Sequence, residues 1–145
     1  MDELKRKNVI EETVIIQKGY STYIPESCEY KDFFPYEEML SLVKRARIII
    51  THGGPSSFIM PLQIGKIPIV VPRRKAFDEH INDHQLIFCK AVAERQGNIS
   101  VIENVDKLQE TIEKYDDLVA AMPIEMRSNN TKFCEDLEKI VRTMF

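Results

Sequence analysis

Apolar runs of strand length alternate along this chain with amphipathic stretches of helix length, the pattern of βαβ units folded onto a parallel sheet. A first strand is predicted over residues 13–17, closed by Lys18-Gly19, and a second, polar enough for a sheet edge, around 28–31. Pro35, followed by Glu37 and Glu38, opens a helix over 35–43, with proline at its start and acids in its first turn. Arg47-Ile48-Ile49-Ile50-Thr51 is an apolar run of the kind buried on both faces of a parallel sheet and is expected to be the central strand. A helix over 55–64 follows, ended by Gly65 as a C′ glycine. Next come a strand over 68–72, a polar loop through Arg73-Arg74-Lys75, a helix over 82–95 stopping at Gln96-Gly97-Asn98, and a short strand over 99–102. Helices over 105–122 and 130–144 close the chain, the last one begun by an Asn/Thr cap.

Composition narrows the class. The 145 residues are 43% hydrophobic and contain no internal repeat or Gly/Ser linker, so a single domain with its own core is expected over 1–145. Twenty basic residues against twenty-three acidic leave a net charge of −3 and form no long basic block, which argues against a nucleic-acid binder. No apolar stretch approaches the roughly 18 residues that cross a bilayer. The opening Met1-Asp2-Glu3-Leu4-Lys5-Arg6-Lys7 has no apolar core of a signal peptide, so a cytoplasmic location is expected. Cys28, Cys89 and Cys134 are odd in number, far apart and without metal-ligand spacing, and read as reduced, half-buried thiols.

Two segments carry chemistry. The strand ending at Thr51 runs into His52-Gly53-Gly54-Pro55-Ser56-Ser57 and then a helix. A Gly-Gly turn lets the backbone come close to a ligand, and the helix start offers free N–H groups and a partial positive charge, so the natural guest is an anion such as a diphosphate. Ser56 and Ser57 add hydroxyl donors there, or cap the helix. The segment leaving the next strand, Arg73 to Gln85, is rich in carboxylates, His and Gln suited to vicinal hydroxyls, with Arg73, Arg74 and Lys75 able to balance phosphate charge. Both segments leave the carboxyl ends of strands, where open α/β sheets bind ligands. His80 and His84 are four apart and could bind zinc from one helix face, but Ile81 stands where the metalloprotease pattern needs Glu, and no metal is expected.

Thr51-His52-Gly53-Gly54-Pro55-Ser56-Ser57, Gly65-Lys66-Ile67-Pro68-Ile69-Val70-Val71-Pro72-Arg73 and Glu79-His80-Ile81-Asn82-Asp83-His84-Gln85, in that order, resemble the donor-binding half of family-28 glycosyltransferases. The resemblance covers roughly residues 13–102 and is closest to the small catalytic subunits of bacterial two-component capsule and exopolysaccharide transferases; more distantly it extends to the catalytic subunit of the dolichol-linked N-acetylglucosamine transferase. It implies an α/β, Rossmann-like parallel sheet with helices on both faces, the C-terminal half of a GT-B fold. It also implies a UDP-sugar as substrate with no further cofactor, a lipid-linked saccharide acceptor, and a membrane-associated subunit that supplies the acceptor site and recruits the chain to the inner face of the membrane. On this resemblance Gly53, Gly54, Ser56 and Ser57 hold the diphosphate, and His84 and Gln85 contact sugar hydroxyls. Arg73, Glu79 and Asp83 stand beside them in the donor site, and His52 and Glu79 are the candidates for catalysis.

Two departures matter. Distant relatives grip the ribose with a Glu on the glycine-loop helix, where this chain has Met60. Small members of the family also begin with an apolar strand and a Gly-Thr-His-like loop; nothing like it precedes Thr13, and the chain opens in what reads as the tail of a helix. The expected sheet therefore lacks its first, central strand, and unpaired buried backbone groups at about 1–3 kcal/mol each would leave the isolated chain marginal or self-associating. The function these readings imply is the donor-binding catalytic subunit of an inverting glycosyltransferase in capsule or exopolysaccharide synthesis. The alternative is a catalytically inactive module that binds the nucleotide sugar or stabilises a partner.

Overall fold

The computed structural model describes residues 1–122, and two compact units divide the chain between Arg45 and Ala46. The helix expected over 130–144 and Cys134 lie outside the described residues.

The first unit holds α1 (Asp2–Arg6), β1 (Ile15–Gln17), β2 (Glu29–Lys31) and α2 (Tyr36–Arg45). Strands β1 and β2 pair in parallel, Ile15 opposite Glu29 and Gln17 opposite Lys31. Helix α1 is fastened by its first side chain. The buried Asp2 carboxylate accepts the Tyr23 hydroxyl at 2.7 Å and the backbone N–H groups of Glu26 and Ser27 at 3.1 and 2.7 Å. The Tyr23 hydroxyl first, then the Glu26 amide, hold this carboxyl well below the usual carboxylate range. Because the unfolded chain takes up a proton at a higher pH than the folded one, this contribution to stability is full above about pH 4 and declines as acid is added. Asp2→Asn is expected to flatten the acid limb of an unfolding titration followed by tyrosine fluorescence. Identical limbs for the two proteins would rule the contribution out.

The second unit carries a three-stranded parallel sheet in the order β3 (Ile50–His52), β4 (Ile69–Val71), β5 (Ser100–Val101). Helix α3 (Pro55–Gln63) connects β3 to β4, and α4 (His84–Gln96) connects β4 to β5. Side chains alternate across a strand, so Ile69 and Val70 point to opposite faces, and both are wholly buried. The central strand is thus β4. The expectation that the isoleucine run would be central is corrected: among the described residues β3 pairs with β4 alone, and Ile48, Ile49 and Ile50 are half-buried. Among the described residues β1–β2 and β3–β4–β5 are two separate sheets.

Phe58 from α3, Val70, Cys89 from α4 and Ile99 form a buried cluster, with Leu62, Val92, Ala93 and Val101 packed against it. Gly65 and Gly97 take left-handed backbone, φ +75° and +60°, just past α3 and α4, and stop those helices where the sequence predicts. The stretch 105–122 is not one helix: a 3₁₀ turn at Val105–Lys107 leads into α5 (Leu108–Glu113), and α6 (Tyr115–Ala121) starts after a break at Lys114. Tyr115, at that break, is buried and donates its hydroxyl to the Ile67 carbonyl at 2.6 Å. The bend between α5 and α6 is thereby tied to the approach of β4. A second 3₁₀ turn, Lys75–Phe77, interrupts the loop after β4.

Candidate active site

The turn after β3 is built around His52. Its Nδ1 accepts the Gly54 amide N–H at 2.9 Å, and its Nε2 lies 2.8 Å from Ser57 Oγ. Partial burial, then the charge of Arg73, push the ring's pKa down, so the imidazole is neutral at physiological pH. Gly54 has ordinary backbone angles, φ −74° and ψ 129°, and is needed for another reason: a Cβ there would run into the His52 ring. The α3 start is capped by Gly54 without a side-chain bond, so neither serine caps it. Pro55 has no N–H and the Ser57 N–H turns back to the Gly54 carbonyl at 3.0 Å. The Gly54 amide is likewise occupied, by His52. What this turn can offer an anion is the Ser56 amide and the hydroxyls of Ser56 and Ser57, at the positive end of a nine-residue helix.

The loop after β4 is held by the residues expected to bind sugar. Three successive backbone N–H groups each donate to a side chain further on: Arg73 to Gln85 Oε1 at 3.1 Å, Arg74 to Glu79 Oε2 at 3.1 Å, Lys75 to Asp83 Oδ1 at 3.0 Å. Each acceptor keeps one more polar atom for another partner. His84 is the exposed first residue of α4, its N–H donating to Asn82 Oδ1 at 3.2 Å. The Arg74 guanidinium reaches the Glu103 carbonyl at 3.2 Å, linking the loop to the segment after β5.

Gly53 is where the two segments meet. A Cβ there would stand 3.0 Å from Cys89 Sγ, 3.1 Å from Gln85 Cβ and 3.1 Å from the Cα of Pro72. The turn after β3, the end of β4 and the first turns of α4 therefore abut. Gly53, Gln85, Arg73 and, through its charge, His52 are brought together; His84 and Glu79 are exposed beside them. Sequence reasoning missed Cys89 as a floor to the turn. It is wholly buried rather than half-buried, with Sγ 3.5 Å from the Gly53 carbonyl. Its position four residues after Gln85 puts both on one face of α4, the signal from which this was readable. Also missed was the pairing of His52 with Ser57. Met60 lies on α3, as expected, and is half-buried.

The two candidate bases differ: both ring nitrogens of His52 are engaged within the turn, whereas Glu79 is exposed, holds the Arg74 amide with one carboxylate oxygen and keeps the other. Among the described residues no group of three His, Cys, Asp or Glu side chains is placed to hold a metal ion, and no helix is long and apolar enough to cross a membrane.

Parallel strands joined by helices, with two strand-end segments abutting over a helix N-terminus, define a Rossmann-like α/β half-domain. The model of the glycosyltransferase family 28 C-terminal domain matches residues 1–141, and the chain belongs to that family. The match extends beyond 13–102 on both sides. No curated protein sequence matches the chain.

Proposed function

We propose that this chain is the donor-binding catalytic subunit of an inverting glycosyltransferase, moving a sugar from a UDP-sugar to a lipid-linked saccharide in capsule or exopolysaccharide synthesis. The observation that supports this reading is the meeting at Gly53, which sets an anion-binding helix start against Gln85 on the neighbouring crossover. In such a transfer an acceptor hydroxyl attacks the anomeric carbon while the bond to the diphosphate breaks and negative charge grows on the departing UDP. The Ser56 amide, the two serine hydroxyls and the Arg73 charge meet that developing charge from positions fixed before the reaction, which is where electrostatic catalysis is strongest. Gln85 keeps its amide nitrogen, and Asp83 and Glu79 one carboxylate oxygen each, for sugar hydroxyls.

The proton of the acceptor hydroxyl needs a base: both ring nitrogens of His52 are engaged in the turn, and the free oxygen of Glu79 is taken up by the sugar hydroxyls. A membrane-associated partner subunit supplies it together with the acceptor site. The same observation favours the second reading, a nucleotide-sugar-binding module without catalysis of its own.

Calorimetric titration with UDP and with UDP-sugars tests the assignment. Gln85→Ala is expected to weaken a UDP-sugar about tenfold more than UDP, one hydrogen bond's worth of discrimination. Equal losses for both ligands would refute the division between phosphate turn and sugar loop, and turnover on adding membranes with the partner separates the catalytic reading from the inactive one.

A further inference from the structure

His52 directs hydrogen bonds as well as making them. An amide N–H only donates, so the Nδ1 that faces Gly54 must hold a lone pair, and the single proton of the neutral ring sits on Nε2. That proton points at Ser57 Oγ, 2.8 Å away, which makes the hydroxyl the acceptor. A hydroxyl that accepts from one neighbour keeps its own hydrogen for another.

We propose that His52 is a positioning residue that polarises the turn in one direction, from Gly54 N–H to Nδ1 and from Nε2–H to Ser57 Oγ, so that the Ser57 hydroxyl donates to a diphosphate oxygen. This rests on the diphosphate reading above and deepens it. In the other neutral tautomer the Ser57 hydrogen would turn back to Nε2, and the oxygen would present lone pairs to an anion. In the imidazolium, a second N–H would confront the Gly54 amide. Arg73, the charged group acting on the ring from the loop after β4, works against that protonation. The bare Cα of Gly54 is what admits the ring to this position.

The experiment is a double-mutant cycle on UDP affinity in the full chain, using His52→Asn, Ser57→Ala and the pair. Asparagine keeps an acceptor for an amide two residues on, as it does in side-chain turns, but is too short to hand a proton to Ser57. Each single change is expected to weaken UDP about tenfold or more, and the double variant no more than Ser57→Ala alone. Losses that multiply, or a His52→Asn protein that binds as wild type, would overturn the inference and leave the diphosphate reading standing. Wild type that binds no UDP would take down both. Long-range nitrogen–proton NMR of the wild-type imidazole gives a variant-free check: protonated Nε2 and bare Nδ1 are expected, and the reverse overturns the proposal even if a variant misfolds.

Discussion

Valine at position 54 is expected to weaken UDP binding by at least about 100-fold while leaving far-ultraviolet circular dichroism unchanged. The backbone there, at φ −74°, accepts any residue, so the fold has no reason to suffer. The cost falls on the ligand. A Cβ at Gly54 lies within 3.0 Å of Nδ1 of His52 and displaces the ring, which breaks the bonds to the Gly54 amide and to Ser57 together. The valine methyls also occupy the approach to the helix start. Retention of wild-type UDP affinity would remove the turn from the binding site.

The largest effect on stability is expected from Phe58→Ala. Phe58 is 3% exposed, anchors the cluster with Val70, Cys89 and Ile99, and stacks at a tilt on Phe88 with ring centres 6.2 Å apart. Truncating a buried phenylalanine costs about 3–5 kcal/mol in lost transfer energy and residual cavity. In a domain whose total stability is about 5–15 kcal/mol, that should lower the melting midpoint by on the order of 10 °C. Scanning calorimetry measures it, and a loss below about 1 kcal/mol would mean that α3 is not closed onto β4 as described.

Local punctuation made much of this readable in the sequence. Gly65 and Gly97 stop their helices because left-handed backbone is cheap only there, and that preference needs no knowledge of the rest of the fold. The Gly-Gly-Pro start of α3 is local in the same way. The place of β3 in the sheet was not readable. Three isoleucines in a row report burial on the faces of a strand and are silent on its hydrogen-bonding edges, so an edge strand and a central one read alike. Nor did the pattern over 105–122 betray the break at Lys114, because the apolar positions of α5 and α6 continue through it, and the Tyr115–Ile67 bond beside the break joins residues far apart in sequence. The donor and acceptor types after β4 were legible, but not their partners. Glu79, Asp83 and Gln85 read as groups waiting for a ligand, whereas three of their oxygens are taken by backbone amides that only the fold brings near.

That stapled loop bears on how such a protein can diversify. The amides of Arg73, Arg74 and Lys75 depend on the same three side chains that would read the sugar. On the proposed reading, a substitution at 79, 83 or 85 would change the contact to the donor and release a stretch of backbone at once. Variation at these positions would then be epistatic: an altered sugar preference would arise through compensated pairs, one change redirecting recognition and another restoring the loop, rather than by independent single steps.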